Sequence, residues 1–164
     1  MTTPTKVPRL IDQLLLTTVS DEARSNPRRR QNLNFHEDDA AVAHRLLNAI
    51  EPGSYLPPHR HLDANKDETM VVLRGRLGVV FFDHAGKAQQ TVVLAPTGGV
   101  CGVDIPHGVF HTILALDPGT VILEAKAGPY LPLAENERAP WAPAEGAAEA
   151  AAYAGSLREL FARG

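Results

Sequence analysis

The chain carries His59-x-His61, then Glu68, then His111 some fifty residues further on. Imidazole and carboxylate in that combination make a metal pocket, which requires well-separated segments to return to one point. Two histidines one residue apart in an extended segment project from the same side of the chain, because strand side chains repeat with period two. One cation can therefore meet both rings. Glu68 precedes the apolar run Met70-Val71-Val72-Leu73, and His111 opens Thr112-Ile113-Leu114-Ala115-Leu116, so each sits at a strand entrance. The plain alternative is a solvated turn beside Pro57 and Pro58, since seven histidines allow an HxH by chance.

From Val42 to about Ala127 short apolar runs alternate with turn residues such as Asp83-His84-Ala85-Gly86, Pro96-Thr97-Gly98-Gly99 and Asp117-Pro118-Gly119. That rhythm predicts strands near Val42 to Ile50, Thr69 to Arg74, Leu77 to Phe82, Gln90 to Leu94, Val100 to Ile105, Phe110 to Leu116 and Val121 to Lys126. A short extended segment carrying His59 and His61 makes eight, which suits a jelly roll. Residues 1–41 read as a lead-in, with Leu10, Ile11, Leu14, Leu15 and Leu16 on a partial helical face and Ser20-Asp21-Glu22 as a possible second helix start. Residues 42–130 form the barrel. Residues 131–164 read as a Pro-rich strap through Trp141, then an Ala-rich helix from Ala144 to Arg163 with Tyr153, Leu157, Leu160 and Phe161 as its packing stripe; Gly146 and Gly155 weaken it.

The order and spacing of Gly53, His59, His61, Glu68 and Gly75 resemble the first cupin motif. Only the gap from His61 to Glu68 is long, at six residues. Pro106-His107-Gly108-Val109-Phe110-His111 resembles the second motif, Pro-x-Gly-x-x-His, with Ala115 where the motif ends in Asn. The resemblance implies an all-β cupin fold, a double-stranded β-helix or jelly-roll barrel, as a single monocupin domain. It implies His59, His61, Glu68 and His111 as metal ligands, with Asp67 as the alternative carboxylate. The strings NxNxH (Asn32 to His36), PHRH (Pro58 to His61), KDE (Lys66 to Glu68), LRGR (Leu73 to Arg76), IPxGxxH (Ile105 to His111), GPY (Gly128 to Tyr130) and WAP (Trp141 to Pro143) further resemble the bacterial WbuC-type cupin-fold metalloproteins. That likeness implies an association with surface-polysaccharide (O-antigen) biosynthesis and brings no settled reaction. Resemblance to other cupins also implies a homodimer.

At 164 residues and a net charge of −3, the chain suits one domain and offers no global attraction for nucleic acid. No apolar stretch is long enough to span a bilayer, and Met1-Thr-Thr-Pro-Thr-Lys lacks a signal-peptide core, so a cytoplasmic protein with a small polar partner is expected. The one cysteine, Cys101, reads as a small buried core residue, with a cavity-facing thiol as the alternative.

Three neutral imidazoles and a carboxylate leave a net +1 on a divalent ion, and an octahedral ion keeps two positions open. Zn, Fe, Mn, Ni and Co all accept the set. Around the metal, Arg74, Arg76 and Lys126 are the candidate substrate-binding residues, and Glu124 and Tyr130 the candidate proton-transfer residues. Each has a plain reading: arginines at strand ends are usually solvated, Glu124 and Lys126 pair on one face, and Tyr130 caps the barrel. Arg28-Arg29-Arg30, with Arg24, is the dense basic cluster and matches phosphate or carboxylate. His36, His44 and His84 lack the spacing to join the metal set, and His107 reads as a rim residue. The expected activity is metal-dependent isomerisation or epimerisation of a sugar or sugar nucleotide; the alternatives are an Fe(II)-dependent dioxygenase or a non-catalytic saccharide- or metal-binding regulator.

Overall fold

The computed structural model describes residues 7–162. Its first element, α1 (Gln13–Ser25), starts where the Asp12 carboxylate accepts the Leu15 amide proton at 2.9 Å. Leu16, Val19 and Ala23 are buried at helical spacing, whereas Leu10, Ile11 and Leu14 are exposed. The apolar face is thus set later in the chain than the leucine cluster predicts. Ser20 does not open a second helix; it lies buried inside this one, because the 16-19-23 spacing outweighs the local cap signal.

Eight strands follow: β1 (Arg30–Asn34), β2 (Ala43–Ile50), β3 (Glu68–Arg74), β4 (Leu77–Phe82), β5 (Ala88–Leu94), β6 (Gly102–Ile105), β7 (Phe110–Ala115) and β8 (Thr120–Ala127). They form a five-stranded sheet in the order β1-β2-β8-β3-β6 and a three-stranded sheet in the order β5-β4-β7, with antiparallel pairing throughout. Two antiparallel sheets in this order make a jelly-roll barrel, the fold that the cupin resemblance implies. The first strand lies in the predicted lead-in; its sequence RQNLN has little apolar alternation, and pairing with β2 holds it extended. The His59 segment makes isolated antiparallel bridges to His111 and Arg138 rather than a full strand.

Alternation decides which side chains enter the barrel. Along β2, Leu47 and Ala49 face α1, while Ile50 joins Met70, Val72 and Ile122 in the interior. The inner face is apolar at one end and polar at the other, because the register places His44 opposite Lys126 and Lys126 opposite Glu68. At the apolar end, Gly75 turns the chain with φ +78°, and a Cβ there would clash with the Thr120 side chain and backbone.

Gly146 turns with φ +84°, so the C-terminal helix α2 (Ala150–Glu159) is shorter than predicted. Tyr153, Leu157 and Phe161 pack with Val80, Phe82, Phe110 and Leu114, and Leu160 is largely exposed. The expectations for Met1 to Lys6 and for Arg163 lie outside the described residues. Cys101 is exposed, contrary to the buried reading, because it precedes β6 at the sheet edge. Among the described residues no helix is long and apolar enough to cross a membrane.

Candidate metal centre

The site begins with backbone geometry. The His59 amide donates to the His111 carbonyl at 3.0 Å, and the His111 amide returns a bond to the His59 carbonyl at 2.9 Å. A reciprocal antiparallel pair of this kind sets two side chains beside one another, and the two rings have centroids 4.8 Å apart. The Gly108 amide donates to the His61 carbonyl at 2.6 Å, which fastens the same segment to the loop before β7. Glu68 opens β3, and its side chain points into the polar end of the barrel.

Ring orientation follows from the outer contacts. The His59 Nδ1 lies 3.1 Å from the Pro57 carbonyl, and the His111 Nδ1 lies 2.9 Å from the Val109 carbonyl. An Nδ1–H donated to a carbonyl leaves Nε2 as a lone pair aimed inward. His59, His61 and Glu68 offer ligand atoms within 4.8 Å of one another, a triad that can hold a metal ion. The His111 Nε2 lies 3.3 Å and the His61 Nε2 3.4 Å from the same Glu68 oxygen, Oε2.

None of those three atoms has a hydrogen-bond partner, and all are buried. Lone pairs converging on a carboxylate oxygen repel one another, and buried polar atoms are ordinarily paired. A cation between them removes both costs, so the residues present fit a metal.

The charges around the centre are ordered in a chain. The Lys126 Nζ lies 2.7 Å from Glu124 Oε1 and 3.3 Å from Glu68 Oε1. Burial works against the Lys126 ammonium, but the charges of Glu124 and Glu68 hold its pKa above the ordinary lysine value. Burial would also raise Glu68; in the other tautomer, with Nε2–H on His111 and His61, donation from those rings and the Lys126 charge outweigh it and hold the carboxyl well below the usual range. Glu124 goes the other way: burial, then the Glu68 charge, push it up to about 7. Burial, then His111, depress His59 to about 3, which keeps the ring neutral and able to ligate.

A cavity of about 290 Å3 opens beside the centre and is lined by all four proposed ligands together with Glu124, Lys126 and Tyr130. Tyr130 is 57% exposed and stands at the rim. Arg74 and Arg76 are not brought to this cavity. Glu68 and Arg74 occupy opposite ends of β3, roughly 20 Å apart at the usual strand rise. Arg74 donates instead to the carbonyls of Gly119 and Leu16 and to the Thr17 hydroxyl, and Arg76 makes a two-pronged pair with Asp117, both prongs 2.8 Å. Asp67 is exposed and held by the amide and ring of His107, so the inward carboxylate is that of Glu68. Of the arginine cluster, Arg28 and Arg30 both pair with Glu145, and Arg30 also borders the cavity.

Several lining residues escaped sequence reasoning, among them Lys66, Asn48 and His44. Asn48 carried a readable signal, as a polar residue on the inward phase of an apolar strand. Lys66 stands in the KDE string, two positions before Glu68.

A family model described as "Domain of unknown function (DUF6016)" matches residues 11–94. Among solved structures, a conserved protein of unknown function from Streptococcus pyogenes is similar, with a TM-score of 0.51 and 11% identity, over 79% of this chain and 95% of that one. KdgF from a Halomonas species (TM-score 0.49, 17% identity, 63% and 82% covered) and a cupin superfamily protein from Desulfitobacterium hafniense (TM-score 0.46, 15% identity, 60% and 76% covered) are also similar. At these identities a likeness bears on fold alone. No curated protein matches the chain in sequence.

Proposed function

We propose that this chain, which belongs to the family described as a domain of unknown function (DUF6016), is a metal-dependent cupin enzyme that moves a proton on a sugar or related polyhydroxylated carbonyl compound. One observation carries the reading: His61 Nε2, Glu68 Oε2 and His111 Nε2 are buried, unpartnered and within 3.4 Å of a common point of contact at Glu68. His59, His61, Glu68 and His111 would hold one divalent transition metal. Bound there, the ion would supply Lewis-acid polarisation of a substrate carbonyl.

The chain's own residues supply the rest. Glu124 lines the same cavity, is buried, and takes or returns the proton adjacent to the carbonyl. Lys126 holds the Glu124 carboxylate at 2.7 Å and balances its charge when it is ionised. Tyr130, at the rim, closes the cavity against bulk water. Isomerisation or epimerisation follows from that proton movement, and the WbuC-like strings support a substrate drawn from surface-polysaccharide precursors.

The test is proton exchange. Metal-loaded protein is incubated in D2O with a panel of aldose and ketose phosphates and nucleotide sugars, and the proton next to the carbonyl is followed by NMR. Exchange in the wild type and its loss in Glu124→Gln are expected; no exchange with any compound by a fully metal-loaded protein would overturn the enzymatic reading and leave a binding protein.

A further inference from the structure

Three cations line the metal cavity: Arg30, Lys66 and Lys126. Two are matched. Lys126 is paired with Glu124 and Glu68, and Arg30 with Glu145. Lys66 is not. It is only 9% exposed, and among the described residues its ammonium has one hydrogen-bond partner, the Pro129 carbonyl at 2.8 Å, and no carboxylate within 4.0 Å. A lysine carries three N–H donors and a full charge, and a buried charge is ordinarily paired. Glu137 acts on Lys66 only at a distance, so a cavity-wall ammonium without a contacting carboxylate is a point at which an anion can bind.

Its placement is held from two sides. The Lys66 amide donates to the Asp63 carbonyl at 2.9 Å, which closes the turn ahead of β3, and the Pro129 bond fixes the ammonium against the segment that leads from β8 to Tyr130. Glu68, two residues on, reaches the metal side of the same cavity. The turn into β3 and the first residue of that strand thus present an anion anchor and a metal ligand to one bound molecule.

The electrostatic sum agrees. The lining carries three cations against Glu68 and Glu124, and a divalent ion adds two more positive charges. Outside the lining, Glu145 pairs with Arg30 and the charge of Glu137 acts on Lys66 and His61, so four carboxylates stand against three cations and the two charges of the ion, and the metal-loaded interior keeps a positive excess. The interior is therefore electropositive, which favours an anion over a neutral molecule.

We propose that Lys66 is a substrate-binding residue that anchors a carboxylate or phosphate group, so that this enzyme takes anionic hydroxylated compounds with the reacting end at the metal and the anion at Lys66. The inference rests on the metal-dependent reading above and narrows its substrate class.

The experiment uses the full chain loaded with Co(II), whose visible spectrum reports both metal uptake and ligand entry. The probes share one carbon skeleton: glycerol, glycerate and glycerol 3-phosphate. Lys66→Gln keeps a donor for the Pro129 carbonyl while removing the charge, and Lys66→Arg restores the charge. We expect both anions to bind the wild type more tightly than glycerol. Lys66→Gln should weaken the preferred anion by roughly ten- to a hundredfold, with recovery in Lys66→Arg. Whichever anion suffers the larger loss identifies the carboxylate or the phosphate as the group recognised. Equal anion binding by wild type and Lys66→Gln, with cobalt content unchanged, overturns the anchor alone. Cobalt uptake without binding of either anion overturns it as well and leaves the metal centre standing. Failure of the wild type to take up cobalt removes the metal reading itself and the inference with it.

Discussion

His59 and His111 exchange backbone hydrogen bonds, 3.0 Å one way and 2.9 Å the other, across fifty-odd residues of sequence. That pair joins the HxH segment to β7 and sets two ring nitrogens on the same side of the barrel. The ladder that positions the rings does not depend on the rings. We predict that His59→Ala and His111→Ala fold with near wild-type strand content by circular dichroism. Added Zn(II) or Co(II), which raises the wild-type Tm by binding the native state alone, should no longer raise theirs.

Glu124 gives a pH signature in the metal-free protein. Its carboxyl is raised from 4.5 to about 7, so the folded state holds a proton that the unfolded state has already released across that window. The folded state then binds more protons than the unfolded one, and this group's contribution to stability falls as pH rises from about 4.5 to about 7. Glu124→Gln removes the titration. The Tm of the variant relative to wild type should therefore climb through that window and level off above it; a difference independent of pH would show that Glu124 is ionised throughout.

Lys126 sits between two carboxylates, and its removal leaves both without their cation. We expect Lys126→Met to cost about 3 kcal/mol in urea denaturation, at the lower end for a broken buried pair because the side chain is 22% exposed. The double variant Lys126→Met/Glu124→Gln should lose less than the sum of the singles.

Arg74 belongs to the other end of the barrel, where its guanidinium joins α1 to the turn before β8 through Leu16, Thr17 and Gly119. Arg74→Ala should lower stability by about 2 kcal/mol and leave metal stoichiometry unchanged.

The contrast between Glu68 and Arg74 shows what the chain alone makes legible. Strand period two pairs His59 with His61, and the resemblance to the two cupin motifs implies Glu68 and His111 as their partners, since motif order and strand entrance are both local in the sequence. Arg74 and Arg76 flank Gly75 and so look close to the site, but closeness along a strand is distance in space. A seven-residue strand carries them to the opposite end. Residues 30–34 give no strand signal in the sequence, since a polar edge strand has no periodicity of its own and exists only through β2. Cys101 looked buried by type, and its exposure comes from the edge position of the next strand, which strand order alone decides. Lys66 is illegible in the sequence for a similar reason: the Pro129 carbonyl that fixes it lies sixty-three residues away.

The central claim is that the four converging side chains hold a metal. Protein expressed without a histidine tag and purified without added metal, then measured by elemental analysis beside His59→Ala/His111→Ala, tests it most directly. We predict about one divalent transition metal per wild-type chain and essentially none in the double variant. Wild-type protein that is metal-free and also refuses added Zn(II), Co(II), Mn(II), Ni(II) and Fe(II) would contradict it.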